Sequence, residues 1–220
     1  YSGTQTVTPS VTGGNITTDG NYKVHTFTGA GTQTYDSDYT QTVDVMVVGG
    51  GGSGGRHGGS GGGAGGMVYA TGYSLSDAAH TITVGAKGVG NTGTSNTAGG
   101  DSSVGSLLTG KGGGKGINTG NNPAAAEPWN GGCGAGSANQ AKVFTQTQTS
   151  QPGDSGTYGF GKNGGAGYST GDFAGGGGGG IGVVGSDALS NLTGGAGGNG
   201  KTVSISGSAV IYGGGGGGSH

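Results

Sequence analysis

The chain is poor in the residues on which most protein classes depend. Charged residues make up 8 % of its 220 residues and aromatic residues 6 %, and it has one cysteine and four prolines. The lone Cys133 excludes an intrachain disulfide, and the few prolines, without a Gly-X-Y period, exclude a collagen triple helix. Because no apolar run reaches about 18 residues, we predict no membrane insertion.

Charge is too sparse and too scattered to indicate a nucleic-acid partner. Eight Lys and Arg oppose ten Asp and Glu, which gives a formal net charge of −2. A surface that binds phosphates needs clustered Lys and Arg. The histidines, at positions 25, 57, 80 and 220, lack the spacing of metal ligands. We therefore predict no nucleic-acid partner, no metal and no other cofactor.

What the chain has in excess is glycine, at 65 of 220 residues. Much of it falls in short runs at 110–116, 131–137, 161–167, 174–180, 194–200 and 213–218. Variable spacers separate these runs and carry nearly all the large side chains of that half of the chain. Flexible linkers have no reason to recur at similar length, whereas structural repeats do. The alternative is that the glycine runs are disordered.

Other segments have the composition of β-strands. The stretches 21–28, 42–48, 67–75 and 80–84 are rich in β-branched and aromatic residues, and glycine, asparagine or aspartate bounds them. A late pair follows in the 201–212 region. The fold class predicted is mainly β with essentially no α-helix. We predict a linker or first strand over 1–20, a small sheet or sandwich over 21–84, and glycine motifs that alternate with loops over 85–220. The alternative is that these parts form one continuous domain.

The long stretch 49–66 indicates how the glycine runs are structured. A polyproline II helix has three residues per turn, rises about 3.1 Å per residue and leaves its N–H and C=O groups free to bond neighbours. When every face carries glycine, such helices can pack side by side. The stretch is long enough for two passes, with Arg56 and His57 at the reversal. We therefore predict a bundle of polyglycine II helices, a glycine-rich sandwich, beside the β-structure.

Three segments carry a family resemblance. VDVMVVGGGGSGGRHGGSGGGAGGMVYA at 43–70, HTITVGAKGVGNTG at 80–93 and GGDSSVGSLLTGKGGGKG at 99–116 resemble the glycine-rich domains of bacteriophage tail-fibre and receptor-recognition proteins. The resemblance is close over 21–116. The later alternation of motifs and spacers is similar in layout to the distal adhesins of T-even-like phage fibres. The resemblance implies stacked polyglycine II helices, receptor-binding loops at a tip, and a location on the virion or outside the cell.

On this basis we predict an adhesin that binds a host cell-surface receptor, protein or glycan, or other fibre subunits. Exposed aromatic side chains anchor such contacts, although the same side chains can instead cap the ends of a glycine lattice. The candidate receptor-binding residues are Asn121, Asn122, Trp129, Tyr158, Phe160, Asp172 and Phe173. The alternative functions are a structural or assembly module of a phage fibre that binds no receptor, and an ice-binding protein.

Enzyme motifs in the sequence are better explained by composition. GAGGNGKT at 195–202 matches the P-loop pattern, but VSISGSAVIY follows it where a helix is required. GDSG at 153–156 lacks the scaffold and the orienting aspartate of a serine protease. We therefore predict no catalytic residues and no enzymatic activity.

Overall fold

A computed structural model describes residues 10–90, 96–118, 129–138, 142–149, 159–170 and 173–220. Within these ranges the regular secondary structure is β-strand, and no helix is present. This confirms the prediction of a mainly β fold without α-helix. The strands are β1 (Val11–Thr12), β2 (Asn15–Asp19), β3 (Tyr22–Thr26), β4 (Gly31–Ser37), β5 (Gln41–Val48), β6 (Met67–Leu75), β7 (Ala78–Val84), β8 (Ser102–Val104), β9 (Leu108–Gly110), β10 (Gly159–Phe160), β11 (Lys201–Val203) and β12 (Val210–Tyr212).

Two antiparallel sheets form a small sandwich. One has the order β1-β4-β7-β8-β9 and the other β10-β6-β5. The buried residues between them are Tyr35, Val47, Val68, Leu75, Val104 and Leu108. The sequence-based strands at 67–75 and 42–48 correspond to β6 and β5, but β4, β8 and β9 lack a comparable sequence signal. Since β8 pairs with β7, the sheet continues past residue 84 into the glycine-rich region.

Strand β6 joins this sandwich to the glycine-rich part. Its side chains alternate between the two faces of the sheet. Val68 points into the sandwich core, whereas Met67 belongs to a second buried cluster with Ala64, Cys133, Ile181 and Val203. The glycine segments therefore pack directly on the outer face of the β10-β6-β5 sheet.

Two hairpins complete the β-structure. β2 pairs with β3 through a two-residue turn at Gly20 and Asn21, and β11 pairs with β12. Gly20 has φ +55, a conformation that the first turn position of a tight hairpin can require and that glycine adopts without strain. Asp19 at the tip of the first hairpin lies against Gly207 in the turn of the second. The two hairpins thus meet.

The glycine runs are ordered, hydrogen-bonded segments rather than linkers. The 49–66 stretch folds back on itself at 56–58, as predicted, because Gly49, Gly52 and Gly55 donate their N–H groups to the carbonyls of Gly66, Gly63 and Ser60. These donors are three residues apart. Intervening residues donate elsewhere: Gly50 and Ser53 bond Gly100 and Thr97 of the 96–100 segment. Each segment therefore presents successive N–H groups to different neighbours.

The 174–181 segment, AGGGGGGI, lies at the centre of this network. Its N–H groups bond three neighbouring segments, and the donors toward any one segment are three residues apart. The N–H groups of residues 175, 178 and 181 bond the 213–219 segment. Those of 176 and 179 bond 131–138, and those of 177 and 180 bond 183–188. Its carbonyls accept from 59–66, 161–167 and 194–200. All eight of its residues are buried. Among the described residues, this segment is thus enclosed by six others.

The segments have two distinguishable ends. Residues 49 and 66 adjoin β5 and β6, which defines the sheet end, so the reversal at 56–58 lies at the opposite, far end. The 174–181 segment runs parallel to 59–66, because Gly61 and Ala64 donate to Gly176 and Gly179. The 183–188 segment runs antiparallel to 174–181. Tyr168 and Phe173, on either side of the bridge between Tyr168 and Ala174, and the turn at 189–193 therefore reach the far end together with 56–58.

Candidate recognition surface

Turns at the far end expose large apolar side chains. Leu189 is 79 % exposed, Leu192 65 % and Phe173 39 %. The turn that carries the two leucines is closed by the bridge between Ser190 and Thr193. Isolated exposed apolar residues are ordinary, but these three occupy neighbouring turns at one end of a rigidly bonded structure. Of the predicted candidates, Phe173 belongs to this group. The two leucines carry no aromatic signal, and nothing in their local sequence marks them as contact residues.

The reversal at 56–58 lies at the same end and is locally strained. His57 has φ +51, the only positive φ of a non-glycine residue in the described ranges. Arg56 donates its N–H to Asn118 Oδ1, which also accepts from Asn96 Nδ2. The buried amides of Asn96 and Asn118 therefore fix the backbone from which the exposed Arg56 and His57 side chains project.

Trp129 is packed against other side chains rather than freely exposed. It is half-buried, its ring stacks on Phe144 with centroids 6.0 Å apart, and the Lys115 ammonium lies 5.6 Å from its centroid. It packs against the third buried cluster, formed by Ile117, Ala138 and Phe144. The indole thus covers the side of the glycine segments.

Phe160 lies at the sheet end, because it pairs with Met67 in β6. It is half-buried against the Met67 cluster, and Lys201 Nζ lies 4.6 Å from its ring centroid. The structure therefore separates Phe160 from Phe173 rather than bringing them into one site. The other candidates, Asn121, Asn122, Tyr158 and Asp172, lie outside the described residues.

A polar cleft of about 360 Å³ opens near the sheet end. It is lined by Ala98, Gly99, Asp101, Lys111, Gly112, Asn130, Gly131 and Thr147. Lys111 Nζ bonds Asp101 Oδ2 at 2.6 Å, and the N–H of Gly112 bonds Asp101 Oδ1 at 2.8 Å. Burial raises the pKa of Asp101, but these two hydrogen bonds and the Lys111 charge outweigh it, so the pKa lies below its ordinary value.

Neither metal-ligand groups nor long apolar helices occur among the described residues. No three His, Cys, Asp or Glu side chains in the described ranges are grouped so that they could hold a metal ion. Within the same ranges, no helix has the length and apolar character needed to cross a bilayer.

A comparison with known protein families identifies the family of this chain. The glycine-rich domain family matches residues 25–220, which is most of the sequence. The chain belongs to this family. Searches of curated proteins and of solved structures gave no match. The glycine-rich domain thus covers both the β-sandwich and the glycine segments, from β3 to the end of the chain.

The high glycine content of this glycine-rich domain has a steric cause. A Cβ added at Gly175, Gly177 or Gly178 would overlap a backbone carbonyl oxygen, that of Gly59, Ala196 or Gly62 respectively. None of these three glycines has φ in the left-handed region. Interior positions are therefore glycine because the neighbouring backbones approach too closely for a side chain, not because of an unusual backbone conformation.

One segment without glycine joins the hydrogen-bonded glycine segments partly through side chains instead of backbone groups. The 142–149 segment contains no glycine, and its Thr145 and Gln146 N–H groups bond Asn130 Oδ1 and Asn163 Oδ1, each at 2.9 Å. The buried Gln148 accepts from the N–H of Lys111 and donates to the carbonyl of Thr109. Asn and Gln side chains therefore take the place of some backbone partners where this segment joins the glycine-rich domain.

Cys133 of this glycine-rich domain offers a direct probe of its packing. The thiol is fully buried, and burial raises its pKa to about 11. At pH 8 roughly one thiol in a thousand is therefore the reactive thiolate, even before access is considered. We expect no reaction with a chromogenic disulfide reagent in the native protein and complete reaction after unfolding in guanidinium chloride.

A Cys133→Ser, Ser219→Cys double variant is the control for this labelling experiment, because Ser219 is exposed. Its thiol should react at once in the folded protein. Rapid labelling of Cys133 in the native protein would show that the contact between the glycine segments and β6 is open in solution.

Proposed function

We propose that this glycine-rich domain is a bacteriophage tail-fibre-type adhesin, on the virion or outside the cell, that binds a receptor on the host cell surface. In this proposal a lattice of polyglycine II helices holds the turns of the far end in fixed positions. The domain is a binding protein and not an enzyme, and its partner is a surface protein or glycan.

The three-residue spacing of the hydrogen bonds supports polyglycine II helices. A helix with three residues per turn directs every third N–H toward the same neighbour. In 174–181 the donors toward 213–219 are residues 175, 178 and 181, and those toward 131–138 are 176 and 179. Six bonded neighbours correspond to hexagonal packing of such helices. A lattice of this kind resists bending, because every segment is bonded to several others.

The clustering of exposed apolar side chains on far-end turns is the observation that carries the proposed recognition role. Phe173, Leu189 and Leu192 project from turns whose flanking segments, 174–181 and 183–188, bond each other. Because such turns are held by their flanks, they lose little conformational entropy on binding. Exposed apolar groups on a fixed frame are suited to the core of a protein interface, which is poor in charged residues and enriched in aromatic ones such as phenylalanine.

A triple variant, Phe173→Ala, Leu189→Ser and Leu192→Ser, tests this proposal. Labelled protein is titrated onto a panel of Gram-negative bacteria, and binding is measured by flow cytometry. We expect the variant to bind its host cell about tenfold or more weakly, because several anchors of the interface are lost together, with an unchanged melting temperature. The control is Ile211→Ser, which removes a side chain that is 71 % exposed on β12, at the sheet end.

Three outcomes would contradict the proposal, either the adhesin function or the contact surface assigned to it. If the parent protein binds no cell but binds other fibre subunits, the domain is an assembly module. If the triple variant binds as well as the parent, the far end is not the contact surface. Thermal hysteresis of the parent protein, with no binding to cells, would instead indicate an ice-binding protein.

A further inference from the structure

The polar cleft near the sheet end is separate from the far-end turns. It lies where the 96–100, 111–118, 131–138 and 142–149 segments come together. Lys111 at its edge accepts the N–H of Gly66, which adjoins β6, so the cleft is on the sheet side of the domain. A ligand here would therefore not compete for Phe173, Leu189 or Leu192.

Two polar side chains in the cleft have hydrogen-bonding capacity left over. Asn130 Oδ1 accepts the N–H of Thr145, but within the described residues its Nδ2 has no partner. The N–H of Thr147 bonds the carbonyl of Gly131, and its hydroxyl likewise has no partner in the described ranges. The cleft thus offers an amide donor and a hydroxyl that both donates and accepts.

The charges in the cleft cancel. Lys111 and Asp101 form an ion pair across its wall, and each side chain is about half exposed, at 46 % and 48 %. An anionic ligand would be repelled by the carboxylate and a cationic ligand by the ammonium, while both groups remain able to bond a neutral hydroxyl. The cleft therefore favours a neutral ligand.

The size and shape of the cleft further restrict the kinds of ligand that it can bind. About 360 Å³ lies at the small end of the range of ligand sites, roughly 300 to 1,000 Å³. Ala98 and Gly99 are the partly exposed small residues of the lining, and they leave one wall of the cleft low and free of long side chains. A single ring that carries hydroxyl groups fits a small, polar wall of this kind, whereas a fully apolar ring would leave Asn130 and Thr147 unpaired.

We propose that this cleft binds one neutral pyranose ring of a carbohydrate. Its hydroxyl groups bond Asn130 Nδ2, the Thr147 hydroxyl and the exposed edge of the Asp101–Lys111 pair. The C–H face of the ring packs against Ala98 and Gly99. The glycine-rich domain then has a carbohydrate subsite on its flank, in addition to the far-end surface.

The test is an NMR titration of ¹⁵N-labelled protein with free methyl glycosides of glucose, galactose, mannose and N-acetylglucosamine. Glucuronate and glucosamine are the charged comparisons. We expect at least one neutral glycoside to give saturable shifts at the amides of Gly99, Gly112, Gly131 and Thr147, with a dissociation constant near 1 mM. We expect the charged sugars to bind more weakly.

Two substitutions are designed to change ligand binding at the cleft and to leave the fold intact. Thr147→Val removes the hydroxyl with little change of shape. Asn130→Asp keeps the oxygen that holds the Thr145 N–H and removes the free amide donor. Each should weaken binding about three- to tenfold, the effect of one lost hydrogen bond. Thr202→Val, at an exposed position on β11, should leave it unchanged.

The titration results either support or overturn the proposed carbohydrate site. Saturable shifts at the cleft that weaken in both variants and not in Thr202→Val support it. No saturable shift with any neutral glycoside, equal or tighter binding of the charged sugars, or binding that both folded variants retain would overturn it. If Asn130→Asp does not fold, Thr147→Val alone decides. None of these outcomes depends on whether the far end binds cells.

Discussion

Replacement of Gly177 by Ala is expected to lower the free energy of unfolding by about 3 kcal/mol or more, the upper range for overpacked interiors. Gly177 lies in the central segment, and its added Cβ would overlap the carbonyl oxygen of Ala196. Because that oxygen belongs to a backbone held by other segments, it cannot move as a side chain would. Chemical denaturation followed by far-UV circular dichroism measures the change.

The matched control is Gly217→Ala, in the outermost described segment. The nearest atom to its added Cβ is the carbonyl oxygen of Gly195 at 3.9 Å, and its φ is not left-handed. Ala there restricts the unfolded chain without strain in the folded one, so stability should rise by about 0.4–1 kcal/mol. The same glycine-to-alanine change thus has opposite signs at two sites.

A second pair repeats the comparison within one segment. A Cβ at Gly52 would overlap the carbonyl oxygen of Gly114, whereas a Cβ at Gly54 comes no closer than 3.9 Å to Ser60. Gly52→Ala should therefore destabilise and Gly54→Ala should not. Equal effects at Gly52 and Gly54, or at Gly177 and Gly217, would show that the segments do not pack as closely as described.

Phe144→Ala should be about as damaging, with a loss of about 3–5 kcal/mol for a large aromatic residue in a core. Phe144 is 1 % exposed and packs with Ile117, Ala138 and the stacked ring of Trp129. Its carbonyl also accepts the N–H of Gly164. Loss of the ring leaves a cavity in a framework whose backbones are fixed by hydrogen bonds and cannot close over it. Thermal or chemical unfolding of the purified variant gives the value.

Val143→Ala is the neighbouring control, since Val143 is 47 % exposed. It should change stability by less than about 0.5 kcal/mol, as surface substitutions usually do. A Phe144→Ala variant as stable as the parent would mean that the 142–149 segment does not belong to the packed interior.

Pattern and composition predicted the type of secondary structure well but not its connections. The β-branched runs that became β5 and β6 carried a clear signal, as did the reversal at Arg56 and His57. The signal was weaker for β4, GTQTYDS, because its buried face carries one large apolar residue, Tyr35, beside the polar Ser37. Which segments become neighbours depends on backbone hydrogen bonds, and these leave no mark in a sequence where most donors are glycine.

The type of residue at the candidate site could be predicted from the sequence, but the positions of those residues in the fold could not. Selection by aromatic character found Phe173 at the far end, but it also chose Trp129 and Phe160, which pack against buried clusters. Leu189 and Leu192 are the most exposed large apolar residues there, and only the position of their turn distinguishes them from ordinary aliphatic residues. The cleft joins four segments distant in sequence, so no local motif marks it.

The hydrogen bonds of the last segment also constrain how the molecule can form. Ser219 donates to the carbonyl of Gly59, and Gly216 to that of Gly62, across most of the chain. Glycine has almost no local preference that could hold these segments in place beforehand. Folding dominated by such distant pairings is slow, and during synthesis the central hexaglycine stays open on one side until residues 213–219 leave the ribosome. Protection of that unfinished chain from self-association is then a requirement of its biosynthesis.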